Sequence, residues 1–319
     1  MQSITIMHFL KSVLGPSDMN GKMNNQDILQ HFIFENASVR GEIVRLEESF
    51  KTIMQQHKYP WVIQQILGEM LVTASLLSAS IKFKGRITVQ FQGKGKLRLL
   101  LAQSNNELQL RGLAQWQGEL TPEELIMHLK EGVIAITMDP EVSGGQQYQG
   151  IVAWQGDSLA HSIEGYFNRS EQVPTRLWFA VNEQRAVGLL IQVMPRESTR
   201  LGKVVEGQHD WEHITHLTAT ITPDELLNLD NATILHRLYA QEDVRIFSPK
   251  PVIFRCTCSL ARSENAVRLL GEDEIEQELA EKQMIVVTCE FCNKEFQFDR
   301  VDIARIFKHG NPDSSTQIH

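Results

Sequence analysis

Cys256-Thr-Cys258 and Cys289-Glu-Phe-Cys292 hold all four cysteines of the 319-residue chain, and thirty residues separate the two pairs. Two close pairs of soft ligands, each able to span one edge of a tetrahedron, predict one tetrathiolate site for a single Zn2+ ion, with Cys256, Cys258, Cys289 and Cys292 as ligands. Such ligands bind as thiolates, so the same site gathers the nucleophilic sulfur of the chain, and oxidation to disulfides would remove the ligands. The spacing also admits two other readings. Four-cysteine zinc sites most often only staple a small module. Cys289-Glu-Phe-Cys292, following the strand-like Met284-Ile-Val-Val-Thr288, also matches a thioredoxin-like redox pair. The 27 residues after Cys292 leave no room for a βαβ unit, however, and the CxC pair would then have no role. Residues two apart can serve as ligands and later close a strained disulfide, which tilts the reading toward a switch. His309 is a nearby alternative ligand that reads as a surface residue.

Outward from the cysteines, the segment 256–310 is poor in apolar residues. Glu272–Glu281 has a helical pattern with Ile275 and Leu279 on one side and six carboxylates elsewhere. A module of this size usually needs a metal, and a zinc site contributes about 10–16 kcal/mol to the folding of such modules. The preceding segment, 201–255, reads as a connector of mixed chemistry. Thr222-Pro-Asp-Glu225 is a helix start ahead of Leu226, Leu227 and Leu229, and a second short helix follows Asn231 with Leu235, Leu238 and Tyr239 as its apolar face. Helices this short are marginal alone and need a surface to lie on.

Residues 23–200 read as an α+β domain. A helix is predicted over about 41–57 from Ile43, Leu46, Phe50, Ile53 and Met54, and a second, buried one over about 61–81. Strands are predicted at 86–92 and 97–103, at 133–138 and 150–154 around Ser143-Gly-Gly, and at 177–182 and 188–194. Thr121-Pro-Glu-Glu124 starts a helix between them. Residues 1–22 read as an N-terminal extension and 311–319 as a tail.

Composition narrows the function class. A charge of −8 with no basic cluster outside strand-like hairpins argues against nucleic acid. The longest apolar run, 61–81, is interrupted by Gln64, Gln65 and Glu69 and reads as a core helix, so no membrane span is expected. Four thiols without a disulfide framework suit a reducing, cytoplasmic compartment. The chain holds no HExxH, Walker loop or GxSxG, and reads as a non-enzyme.

CxC followed after thirty residues by CxxC resembles the pattern of the bacterial redox-regulated 33 kDa heat-shock chaperone family, the 33 kDa chaperonins. The likeness extends to Phe32-Ile-Phe-Glu-Asn-Ala-Ser-Val-Arg-Gly-Glu-Ile-Val-Arg-Leu46, to Gly165-Tyr-Phe-Asn-Arg-Ser-Glu-Gln-Val-Pro-Thr-Arg-Leu177, to Arg237-Leu-Tyr239 and to Phe254-Arg-Cys-Thr-Cys-Ser259, covering about residues 24–310. It implies an α/β sandwich-like N-terminal domain for chaperoning and dimerisation, a metastable helical linker, and a small zinc-binding switch domain. It also implies an ATP-independent holdase that protects unfolding proteins from aggregation during oxidative stress and heat. Oxidation would pair Cys256 with Cys258 and Cys289 with Cys292, release zinc and unfold the linker. The chain would be a monomer when reduced and a homodimer when oxidised, passing clients to ATP-dependent refolding chaperones. A zinc-stapled interaction module without redox response is the alternative.

Overall fold

The computed structural model describes residues 27–81, 84–141, 145–156, 158–194 and 204–308, with side chains in the segment 204–218 described from residue 209. The expected extension and tail, His309, and Ser143-Gly144 of the expected turn lie outside these residues.

The stretch expected as one helix over 41–57 is instead strand β2 (Val39–Leu46) followed by helix α1 (Glu48–Gln56). The physical reason is burial on both faces. Val44 and Leu46 point into one core, while Val39 and Ile43 point into another, so the polar alternation that marks a strand is missing and the apolar spacing imitates a helix. Strand β1 (Ile28–Phe34) pairs antiparallel with β2, and β2 pairs with β9 (Ala186–Val193), which pairs with β8 (Thr175–Val181). At Gly41 the approach is close. The Phe32 ring lies over it, and a Cβ there would overlap the ring.

A second sheet is built from β3 (Gly85–Gln92), β4 (Leu97–Asn105), β5 (Gln109–Trp116), β6 (Val133–Pro140) and β7 (Tyr148–Val152), in the order β5-β4-β3-β6-β7. Helix α2 (Trp61–Ser80) packs against strands of both sheets. It is long and apolar enough to cross a membrane by length and composition, yet 78% of its apolar window is buried in the protein. Leu67, Met70, Leu71, Leu76 and Leu77 are almost fully shielded, as expected of a core helix. Helix α3 (Pro122–Glu131) starts at a Thr121 capping box, as its sequence predicts. Helix α4 (Leu159–Tyr166) runs into a π-helical turn at Phe167–Glu171.

The connector covers the other face of the first sheet. Helices α5 (Val204–Thr218), α6 (Pro223–Asn228) and α7 (Asn231–Leu238) lay Ile214, Leu226, Ile234 and Leu235, with Tyr239, onto Phe32, Phe34, Ile43, Leu189 and Ile191. The predicted helix start at Thr222 is a capping box closed by Glu225, and Arg237 of α7 pairs with Glu225 of α6 at 2.6 Å. The connector also has strands that its sequence did not reveal. β10 (Val244–Ile246) and β11 (Lys250–Pro251) pair with β1, and β12 (Ile253–Phe254) then pairs parallel with β5. Strands of two or three residues carry too little periodicity to be read. The chain therefore leaves the edge of one sheet, joins the edge of the other, and reaches Cys256 two residues later.

The cysteine segment holds α8 (Leu260–Leu270), α9 (Glu272–Glu281), the hairpin β13 (Ile285–Thr288) and β14 (Glu295–Phe298), and α10 (Arg300–Lys308). Its core is small: Val267, Ile275, Leu279, Ile285, Phe296, Phe298, Ile303 and Ile306. Ile275 and Leu279 are the two that the α9 pattern places inside.

Two outcomes follow from this packing. Gly41→Val should destabilise the β1–β2 pairing by about 1–3 kcal/mol through overpacking against Phe32, read as a lower denaturant midpoint; an unchanged midpoint would contradict the close approach. Thr222→Ala should cost α6 about 1 kcal/mol, so that amides of 223–238 exchange about fivefold faster while those of α2 keep their protection.

Candidate metal centre

Each cysteine pair is placed by a local turn. Cys289 and Cys292 occupy the turn between β13 and β14, where the Cys289 amide donates to the Lys294 carbonyl at 2.9 Å and the Asn293 amide donates to the Cys289 carbonyl at 2.8 Å. Asn293 takes a left-handed backbone with φ 53°, a conformation that asparagine tolerates better than most residues. Cys256 and Cys258 lie between β12 and α8, whose first turn is capped by Ser259 accepting from the Arg262 amide. The hairpin end and the CxC turn meet, and all four Sγ atoms lie within 4.8 Å of one another. The structure thus brings together every cysteine singled out in the sequence.

The geometry fits a tetrathiolate metal site. Cys256 and Cys289 sulfurs are 3.6 Å apart and those of Cys258 and Cys292 are 3.5 Å apart. A tetrahedron with zinc–sulfur bonds of about 2.3 Å has edges of about 3.8 Å. The donor set is soft and half-buried, which suits zinc and other thiophilic ions over magnesium or calcium. Without a cation four thiolates cannot share such a volume. Burial, together with hydrogen bonding to Cys292 and Cys256, pushes the Cys258 thiol up to about 12, and burial likewise raises Cys292. For Cys256 burial acts in the same direction, but the Cys258 amide and neighbouring thiols outweigh it and hold the thiol below its usual range. Neighbouring thiols are thus pushed in opposite directions, and a divalent ion would favour the thiolate form of all of them.

Residues outside the cysteine motifs complete the site. The Arg111 guanidinium, on β5, donates to Thr257 Oγ1 at 2.9 Å and sits 4.1 Å from the centroid of the Phe291 ring, between Cys289 and Cys292 in sequence. Arg262 donates to the Thr257 carbonyl at 2.8 Å. Both positive charges favour anionic sulfur nearby. A dock between the cysteine segment and the second sheet surrounds them. His57 Nε2 lies 2.8 Å from the Glu290 carbonyl, Gln115 donates to both Glu290 carboxylate oxygens at 3.1 Å, and Asn293 donates to the Gln56 carbonyl. None of these contacts has a local sequence signal, because Arg111, His57 and Gln115 lie far from the cysteines along the chain and reach them only through β5 and the end of α1.

The comparisons agree with this construction. A family model described as Hsp33 protein matches residues 27–299. A 33 kDa chaperonin of Shewanella sp. (strain W3-18-1) is 45% identical over 287 residues, spanning 90% of this chain and 97% of its own. The 33 kDa chaperonin of Nitrosococcus oceani is 44% identical over 285 residues, covering 89% of this chain and 96% of the relative. The crystal structure of the 33 kDa chaperonin (heat shock protein 33 homolog) of Thermotoga maritima superposes with a TM-score of 0.75 over 89% of this chain and 98% of the other, at 21% identity, which speaks for the fold. With the matched segment running from β1 to the end of β14 and the four sulfurs gathered in one place, the chain belongs to the Hsp33 family.

Proposed function

We propose that the protein is a redox-regulated, ATP-independent holdase that binds unfolding proteins and keeps them from aggregating under oxidative stress and heat. The observation that supports this best is positional. The four thiols converge where the connector leaves both sheets, and the connector helices are the cover over an apolar sheet face. In this reading residues 23–200 form the chaperone and dimerisation domain, 201–255 the metastable linker and 256–310 the switch domain, in a reducing cytoplasm.

In the reduced protein, Cys256, Cys258, Cys289 and Cys292 would hold one Zn2+. When bound, the ion supplies cross-links that a core of eight buried apolar residues does not provide. The folded segment docks through Arg111, His57, Gln115 and Gln56, and so fixes β12 and the end of the connector. The connector's short helices stay down only while both of their ends are held.

Oxidation removes the ligands. Each pair of thiolates gives two electrons to a two-electron oxidant such as hypochlorite, which takes up two protons from solvent and leaves as chloride and water, while one S–S bond forms per pair and the ion loses its ligands. Sulfurs of different pairs lie 3.6 and 3.5 Å apart in the folded site, yet the family resemblance implies Cys256 with Cys258 and Cys289 with Cys292, and opening suits that pairing. Cross-pair bonds would staple the two halves of the segment together and oppose opening. Pairs two and three residues apart stay close after the segment loosens, and constrain nothing beyond their own turn. Opening then bares Phe32, Phe34, Ile43, Leu189 and Ile191, an apolar face suited to unfolding clients and to a second copy of the chain. Clients held there would be handed to ATP-dependent refolding chaperones. No step requires turnover, and the reading is of a binding protein rather than an enzyme.

Two outcomes test it. Hypochlorite should release about one zinc per chain, give peptide maps with Cys256–Cys258 and Cys289–Cys292 disulfides, and raise suppression of client aggregation, all reversed by reductant. A zinc-stapled module without a switch predicts no gain in suppression. Replacing both Cys289 and Cys292 by serine should leave a zinc-poor protein in which amides of 209–254 exchange at least about tenfold faster; full zinc content with a protected connector would refute the coupling.

A further inference from the structure

Arg45 lies on β2, on the face that the connector covers, and is only 4% exposed. A guanidinium keeps its charge, so burying one requires acceptors. All that are supplied come from a single elbow of the connector. Nη1 donates to the Leu227 carbonyl at 2.7 Å, and Nη2 donates to those of Leu226 at 3.0 Å and Leu229 at 2.5 Å. These belong to the last turn of α6 and its C-terminal cap, carbonyls that a helix leaves without partners of its own. Arg185, in the turn before β9, adds a bond to Leu227 at 3.1 Å and is itself paired with Glu47 at 3.4 Å. Burial and the like charge of Arg185 weigh against the Arg45 guanidinium, while Asp230, which caps the start of α7 one residue further along, and Glu47 favour its charge.

We propose that Arg45 is the latch by which β2 holds the α6–α7 elbow closed, a positioning residue that sets how readily the connector lifts; this rests on the reading that connector opening activates the protein. The surrounding apolar contacts are non-directional and can slide or re-form with other partners. The latch is directional and all-or-none. It engages only when three carbonyls of one helix end face one guanidinium, and on lifting both sides return to water, so the contact specifies the closed arrangement and imposes no penalty on the open one. Loss of the arginine alone takes the side-chain donor from the Leu226 and Leu229 carbonyls, leaves Leu227 with Arg185 only, and favours opening.

The test uses the full-length, reduced, zinc-loaded protein. Arg45→Met, similar in length and apolar, should speed amide exchange over 223–238 by about 10- to 100-fold, the equivalent of one or two lost partners, while residues 256–308 keep their zinc and their protection. Arg45→Lys should restore part of the protection, because an ammonium reaches the same carbonyls as a point charge without the fork. Arg185→Met, losing one bond, should give a smaller acceleration than Arg45→Met. Exchange over 223–238 that is unchanged in Arg45→Met, or that rises equally in β1, β2 and β9 and is not improved by lysine, would overturn the latch. Should Arg45→Met fail to fold, Arg45→Lys and Arg185→Met decide it: both must loosen the elbow selectively, and wild-type protection in both overturns the proposal. A loosened elbow should also let the reduced protein suppress aggregation before any oxidant is added. A selectively loosened elbow without that gain upholds the latch and counts instead against the proposed function.

Discussion

Strands β2 and β9 are buried on both faces, so the sheet they build has to be covered twice. One face is sealed by α2, a twenty-residue helix whose side chains are buried nearly all round and which also packs on the second sheet. The other is sealed by three connector helices, of which the two short ones, α6 and α7, depend for their stability on this contact and on what holds their ends. The asymmetry between the two covers organises the molecule. One is an integral part of the core; the other is, in the proposed function, a detachable layer whose removal would leave a ready-made apolar surface.

What holds the detachable layer is distributed between its two ends and its middle. At the far end, β12 adds to β5 and the cysteine segment docks beside it through Arg111, Phe291, Gln115 and His57. In the middle, Arg45 and Arg185 collect the carbonyls of α6, and the Arg237–Glu225 pair ties α7 back to α6. The first set lies beside the four sulfurs and the second does not. In the proposed function a chemical event confined to the cysteines acts on the first set, and the remaining contacts determine how far its effect travels. The sulfurs are half-buried and lie outside the main core, which suits the proposed role.

The cysteine spacing, both threonine capping boxes, the buried helix at 61–80 and the hairpin strands on either side of Gly93 were legible because each has a local cause: ligand geometry, an unpaired helix end, a continuous apolar run, an alternation of period two. The segment 41–46 was misread for a reason that the fold explains. Its polar alternation is absent because neither face meets water, and a strand covered twice resembles a helix whose stripe is wide. Arg45 carries no signal at all in that reading, since a lone arginine in an apparent amphipathic helix belongs on the solvent side.

Local chemistry along the chain thus determined that four cysteines would share one site, where the short connector helices start, and that an α+β domain precedes them. Tertiary structure alone decided that the marginal helices lie on the outer face of the first sheet, that the chain then crosses to the second, and that guanidiniums more than one hundred residues from their partners secure both the connector and the sulfur site. The division has a simple origin. Capping, ligand spacing and periodicity act within a few residues and leave their mark in order along the chain, whereas the choice of covering surface is settled by which apolar faces remain to be buried once the sheets have formed.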